Sequence, residues 1–281
     1  MTDGAGQPAA GGLHRLGPPL ALVAVLLGAW ELYARTSGVS PFVLPAPTQV
    51  LGALWDFRGE AIRHAIPTLV ETVVGFTLSI AGATAVAIAL DRVGWARRAV
   101  EPLLVGSQTV PIIAIAPLIV VWFGFGLLPK VLVVVLVTFF PITIALLDGF
   151  ASTSAEATEL MRSLGASAGQ TFRKVRWPSG LPAFFTGLRI SATYGVVAAV
   201  IGEYVGATEG LGIWMQLSQR SFRTDLVFAA ILLTAVLSIG LYGVVVLVER
   251  ATIPWWRASR SATRAENVRE PELERRAIGP A

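Results

Sequence analysis

Residues 159–178 read ELMRSLGASAGQTFRKVRWP. One Glu, three Arg and one Lys fall inside this stretch, between two runs, 127–147 and 181–205, that carry little charge. A helix crossing the hydrocarbon core of a bilayer needs about 20 predominantly apolar residues. Both flanking runs are long enough, so the segment between them is a polar loop at one membrane face. It has more order than a connector requires. Ser152 or Ser154 can cap a helix over 155–164, because a hydroxyl oxygen accepts from the unpaired amides of a first turn. Gly165 follows, where a helix end asks for left-handed backbone that Gly adopts without strain. A second short helix is predicted over 167–175, stopped by Pro178, with Pro182 opening the next span. Leu160, Met161, Leu164 and Phe172 give this unit apolar surface, and Glu159, Arg162, Arg173 and Lys174 surround it with charge. The spacing predicts two short helices meeting at a bend, a knob projecting from a membrane protein.

The rest of the chain agrees with a membrane class. Of 281 residues 54% are hydrophobic and 14% charged, against roughly a quarter charged in soluble domains. Mean hydropathy is +0.67. Six runs are span candidates: 18–34, 66–90, 102–123, 127–147, 181–205 and 226–248. Lipid cannot satisfy an open sheet edge, so the fold class is an all-α membrane protein with about six transmembrane helices. The first run lacks a basic flank and a small-x-small cleavage site, so it reads as a span and not a signal peptide. The net charge of +4 reads as orientation signals and not as a nucleic-acid surface. With both termini cytoplasmic, sixteen of the 22 Lys and Arg lie on the cytoplasmic side, and so does the 159–178 loop. The domain reading is a disordered tail over 1–17, a transmembrane domain over 18–257 with its knob at about 152–178, and a charged tail over 258–281. Ahead of the second span, SPFVLPAPTQVLGALWDF combines a Pro-rich lead-in with an amphipathic helix. Thr48 is its expected cap, with Val50, Leu51, Leu54 and Trp55 on one face at the outer interface.

No Cys is present, which removes disulfides and thiolate chemistry. The two His, His14 and His64, read as tail and loop residues outside the spans. No nucleophile–base pair or metal-ligand set assembles, so no catalytic residue, metal or cofactor is predicted. The solute-pathway candidates are polar groups near interrupted helices. Pro111, Pro117 and Pro141 break the third and fourth spans, and Gln108 and Thr109 precede Pro111. Tyr194, Glu203 and Tyr204 lie on the fifth span. Glu203 either lines the pathway or ties down the loop GATEGLG that follows it. Glu71 is either a pathway group or one end of a helix–helix hydrogen bond. The small residues from Gly75 to Ala85 read as a close-packing surface.

The knob resembles the EAA signature of permease subunits of ABC importers: Glu-Ala-Ala, three residues, Gly, nine residues, Ile-x-Leu-Pro. Here Glu159, Leu160 and Met161 are separated by three residues from Gly165, and nine more residues separate Gly165 from Val175, Arg176, Trp177 and Pro178. Leu160, Met161 and Trp177 depart from the usual residues. Glu156-Ala157-Thr158 is an out-of-register decoy. SQTVPIIAIAPLIVVWFGFG, FFPITIALLDGF and GEYVGATEGLG also resemble the sulfonate, taurine, nitrate and thiamine-pyrimidine/riboflavin branch, over roughly residues 40–250. The resemblance implies a type I ABC importer permease fold in a bacterial plasma (inner) membrane. It implies a second permease subunit, usually an identical copy, two copies of an ABC ATPase, and an extracytoplasmic substrate-binding protein. Glu159, Leu160, Met161, Arg162, Gly165, Val175 and Pro178 would couple to the ATPase, Gly165 setting the bend while Glu159 and Arg162 hold the helix pair. The chain carries no GxxxxGK[ST] phosphate loop, so ATP hydrolysis is expected in the partner. The phrasing favours a pyrimidine thiamine precursor or riboflavin as solute, with sulfonate, taurine or nitrate as further members of the branch. The alternative is an ATP-independent secondary transporter or channel.

Overall fold

The computed structural model describes residues 13–255; the expected tail over 258–281, and the first twelve residues of the one over 1–17, lie outside that range. Eleven α-helices run in order: α1 Leu13–Thr36, α2 Pro47–Asp56, α3 Arg58–Arg92, α4 Gly94–Ser107, α5 Ile112–Phe123, α6 Leu127–Ala151, α7 Ala155–Ser163, α8 Ala168–Thr171, α9 Trp177–Glu203, α10 Leu211–Arg220 and α11 Thr224–Thr252. A π-helical turn, Phe172–Arg176, joins α8 to α9. No strand occurs among the described residues. Five stretches have the length and apolarity to cross a membrane, and α4 with α5 makes a sixth if the bent pair counts as one span.

That pair covers the third candidate run, 102–123, which is interrupted at Pro111 as expected and begins earlier, at Gly94. The chain turns by 99° between α4 and α5. Pro111 is the reason. It lacks an N–H to continue the ladder and pushes its predecessor out of helical geometry. Residues 108–110 therefore turn, and α5 restarts at Pro111 in extended backbone, φ −67° and ψ 116°. Pro117 and Pro141, expected to break their spans as well, do not: both stay inside continuous helices.

α3, α6 and α9 form the centre. α6 and α9 approach closely because glycines face the contact: a Cβ on Gly187 would sit 2.7 Å from Ala145 Cβ. Between α3 and α6, a Cβ on Gly75 would lie 2.6 Å from Val134 Cβ, which makes the small-residue run from Gly75 a packing surface as expected. Hydroxyls stitch the three helices inside the apolar zone. Thr138 Oγ1 donates to Ser79 Oγ at 2.6 Å, and Ser191 Oγ donates to the Thr138 carbonyl at 3.0 Å.

The amphipathic α2 forms, but its cap differs from expectation. Pro47 takes the first helical position, Ala46 is the N-cap, and the Gln49 side chain accepts from the Ala46 N–H at 2.9 Å. Thr48 instead binds α1: its N–H and hydroxyl donate to Glu31, and Arg35 donates to its Oγ1 at 2.9 Å. Val50 and Ala53 are buried, whereas Leu51 and Trp55 face outward.

Candidate functional site

The 159–178 segment projects from the α6–α9 end of the bundle. Ser154 is the N-cap of α7, its Oγ accepting from the Ala157 N–H at 3.1 Å; Ser152 closes α6 by donating to the Gly149 carbonyl. α7 ends in a Schellman motif. Gly165 has φ +75°, its N–H donates to the Arg162 carbonyl at 2.9 Å, and the Ala166 N–H donates to the Met161 carbonyl at 3.0 Å. These backbone bonds hold the bend. Glu159 and Arg162 are both exposed and form no ion pair with each other among the described residues, so they do not hold the helix pair. No α7 residue is buried; Leu160 is 61% exposed and Leu164 73%, while Met161 is half-buried.

Pro178 does not stop the second helix. Ser167 caps α8 through a reciprocal box with Gln170. The chain then stays helical through the π turn and Pro178 to Glu203. The wider π turn precedes the proline, which enters α9 in its first turn, where a missing N–H is tolerated. The knob's second helix is thus the end of a 36-residue rod. Its base is fixed by an aromatic trio: Phe172 meets Phe150 edge-on at 5.5 Å, and Trp177 lies 6.3 Å from each. Trp177, which departs from the EAA pattern, fills this junction. Val175 and Pro178 are half-buried beside it.

A second feature opens where α4 breaks from α5. A groove of about 850 Å³ runs between this break, α6 and α9. It is lined by Ser107, Gln108, Thr109, Pro111, Pro141, Asp148 and Tyr194 among apolar neighbours. Three of the sequence-derived pathway candidates, Gln108, Thr109 and Tyr194, meet here. Glu203 and Tyr204 do not line it. Tyr204 packs at the α9–α10 corner with its hydroxyl 3.7 Å from Met215 Sδ. Glu203 is fully buried, accepting from Thr68 Oγ1 and the Gly212 N–H, each at 2.5 Å.

Glu203 belongs to a buried polar cluster that the sequence reading left scattered. Thr68 Oγ1 accepts from the Leu211 N–H at 2.9 Å, and His64 Nδ1 accepts from the Gly210 N–H at 3.1 Å. Glu71 pairs with Lys130 of α6 at 2.7 Å. His64 is therefore no loop residue: it is 8% exposed in α3 and stacks on Trp214 at 5.9 Å. Likewise Lys130, one of the six basic residues left on the outer side by the orientation reading, is nearly buried. The signal was there: His64, Thr68, Glu71 or Thr72, Gly75 and Ser79 recur every three to four residues, marking one face of α3. The cluster anchors the start of α10 to α3, α6 and α9.

A helical membrane protein with a projecting, rigidly based knob and a polar groove at a broken helix has the form of a solute permease. The sequence matches the family described as Binding-protein-dependent transport system inner membrane component over residues 75–254, and the chain belongs to that family. It is 38% identical, over 84% of this chain and 95% of the relative, to the formylaminopyrimidine transport permease protein ThiX of Halalkalibacterium halodurans. It is 36% identical, over 85% and 90%, to the riboflavin transport system permease protein RibX of Chloroflexus aurantiacus. To the taurine transport system permease protein TauC of Escherichia coli it is 31% identical, over 83% and 87%. Among solved structures, an amino acid ABC transporter crystallised with histidines shares the fold, with TM-score 0.56 at 15% identity, covering 71% of this chain and 97% of that one. The protein is a multi-pass ABC importer permease for small solutes, a transport component and not a catalyst.

Proposed function

We propose that this chain pairs with a second permease subunit, an identical copy, to form the pathway of an inner-membrane importer for a small organic solute. Two copies of a separate ATPase bind the α7 knob, and a substrate-binding protein delivers solute on the opposite face. Both termini are cytoplasmic, as the bias of Lys and Arg supports. The observation that carries the reading is α7 itself: an apolar face exposed on a helix that none of the other described residues covers, rooted through the Gly165 bend in a helix that runs on through the bundle. Glu159, Leu160, Met161 and Arg162 form the contact, Gly165 sets its angle, and Val175 with Pro178 seats the lever. Gln108, Thr109 and Tyr194 line the solute path, while Glu203 and Tyr204 support it from the α10 corner. The identities to ThiX and RibX favour a pyrimidine thiamine precursor or a flavin as solute, ahead of a sulfonate.

The test is extraction of the tagged chain from its native membrane in mild detergent. A nucleotide-binding ATPase is expected to copurify and to be lost from Leu160→Asp/Leu164→Asp, which alters exposed residues and leaves insertion intact. Gradient-driven uptake by the purified chain alone, with no ATPase attached, would instead establish a secondary transporter.

A further inference from the structure

The groove at the α4–α5 break has a chemical bias. Asp148 is exposed to it and has no hydrogen-bond or ion-pair partner for its side chain among the described residues. No Lys or Arg lines the groove. The nearest basic residue along α9, Arg189, is turned away to Glu249 of α11, 3.2 Å distant. The hydroxyls point the same way. Ser107 donates to the Leu104 carbonyl at 2.7 Å and Thr109 to the Gly106 carbonyl at 2.8 Å. Each has spent its one proton, so what it offers the groove is lone pairs. Pro141 has no N–H to give the Val137 carbonyl one turn earlier, and both residues line the groove. Among the lining side chains only Gln108 and Tyr194 keep free donors, and both can also accept; the first-turn amide of Ile112, at the uncapped start of α5, adds one backbone donor.

Asp148 is the one charged side chain on this wall, and with no cation beside it the carboxylate attracts cations and N–H donors and repels anions. We infer that Asp148 makes this groove selective by charge, passing neutral or cationic solutes rich in N–H donors, such as an amino-substituted heterocycle, and rejecting anions such as sulfonates. The inference rests on the groove being a wall of the solute path, and it narrows the solute by chemistry intrinsic to the permease. A unit charge about 10 Å away at an effective dielectric near 20 changes a local ion concentration roughly tenfold, enough to matter for traffic through a narrow path.

The chain has no Cys, which gives a direct measurement of the groove's potential. Tyr194→Cys places a single thiol in the groove, in membrane vesicles carrying the whole transporter. Its reaction rates with methanethiosulfonate reagents bearing a trimethylammonium, a neutral or a sulfonate group are measured and normalised to a free thiol. Because the charge raises the local cation and lowers the local anion each roughly tenfold, the expected cation-to-anion rate ratio is on the order of a hundred. Adding Asp148→Asn, a near-isosteric change at an unpaired side chain, should bring that ratio close to one. A ratio at or below one, or one that Asp148→Asn leaves unchanged, overturns the charge inference while leaving the permease assignment intact. No reaction with any of the three reagents overturns both this inference and the groove's place on the path, whereas copurification of the ATPase tests the assignment separately.

Discussion

The Arg176 guanidinium lies 2.9 Å from the Asp91 carboxylate, which is 4% exposed, and so joins the base of the knob to the last turn of α3. The same guanidinium reaches the Phe150 carbonyl at the end of α6. One side chain at the root of the lever therefore touches both other central helices. A push on α7 carried down the π turn cannot tilt α9 alone; it must drag α3 and α6 or break this pair. That makes the three central helices a unit suited to rigid-body movement.

Arg176→Ala should destabilise the chain by roughly 3 kcal/mol, because it leaves the Asp91 carboxylate buried without its partner. Adding Asp91→Asn should recover most of that loss while transport stays uncoupled from ATP hydrolysis. Thermal unfolding in detergent reads the first effect, and the ratio of solute moved to ATP hydrolysed reads the second. Full coupling in the double variant would show that the pair only holds the fold together.

At Gly165 the limit is backbone and not space, since nothing lies within 4 Å of a Cβ built there. At φ +75° an Ala costs about 1 kcal/mol, and a β-branched Val costs more. Gly165→Asn should be tolerated best, Gly165→Ala should weaken ATPase attachment, and Gly165→Val should abolish it with insertion unchanged. Pull-down of the ATPase across the series gives the order. An order following side-chain volume, with Asn as harmful as Val, would point to a steric contact in place of the bend.

The sequence made the knob legible because its determinants are local: Ser154, Gly165 and Ser167 each act within a few residues. Apolar runs likewise located the long helices. Pro178 misled because its effect depends on what precedes it, and a π turn is not written in any residue type. The break in the 102–123 run is legible in Pro111, but apolarity records where lipid or core lies and not how far the axis turns; Pro117 and Pro141 misled, because a proline inside a packed helix need not interrupt it. The buried cluster was hidden by distance along the chain. Glu203 meets Thr68 across 135 residues and Lys130 meets Glu71 across 59, so no window contains both partners. What could be seen was half of it, the polar stripe on α3.

The Lys130–Glu71 pair sits with side chains 11% and 2% exposed. Removing one partner leaves the other charge in an apolar surrounding, so Lys130→Met and Glu71→Gln taken singly should each cost about 3 kcal/mol or more. The double variant should be closer to wild type than the worse single one, because no unpaired charge remains. A double-mutant cycle on unfolding in detergent checks this, and simple additivity of the two losses would mean the pair does not interact.

Glu203 offers the sharpest separation between a packing role and a charge role. Its carboxyl caps the start of α10 through the Gly212 N–H, receives the Thr68 hydroxyl and neighbours the carboxyl of Glu71. Gly210 packs so tightly on it that a Cβ there would overlap the carboxyl group. Glu203→Ala strands the Gly212 amide and the Thr68 hydroxyl and opens a cavity, so it should cost roughly 3 kcal/mol. Glu203→Gln keeps the shape. Its oxygen still accepts from one donor, its amide can donate to Glu71, and the repulsion between two adjoining carboxyl groups is gone. It should unfold within about 1 kcal/mol of wild type. If transport by Glu203→Gln is also close to wild type, Glu203 works by holding α10 against α3. If the Gln variant is stable but inactive, the titratable carboxyl itself takes part in moving solute, and the α10 corner joins the groove as a part of the path.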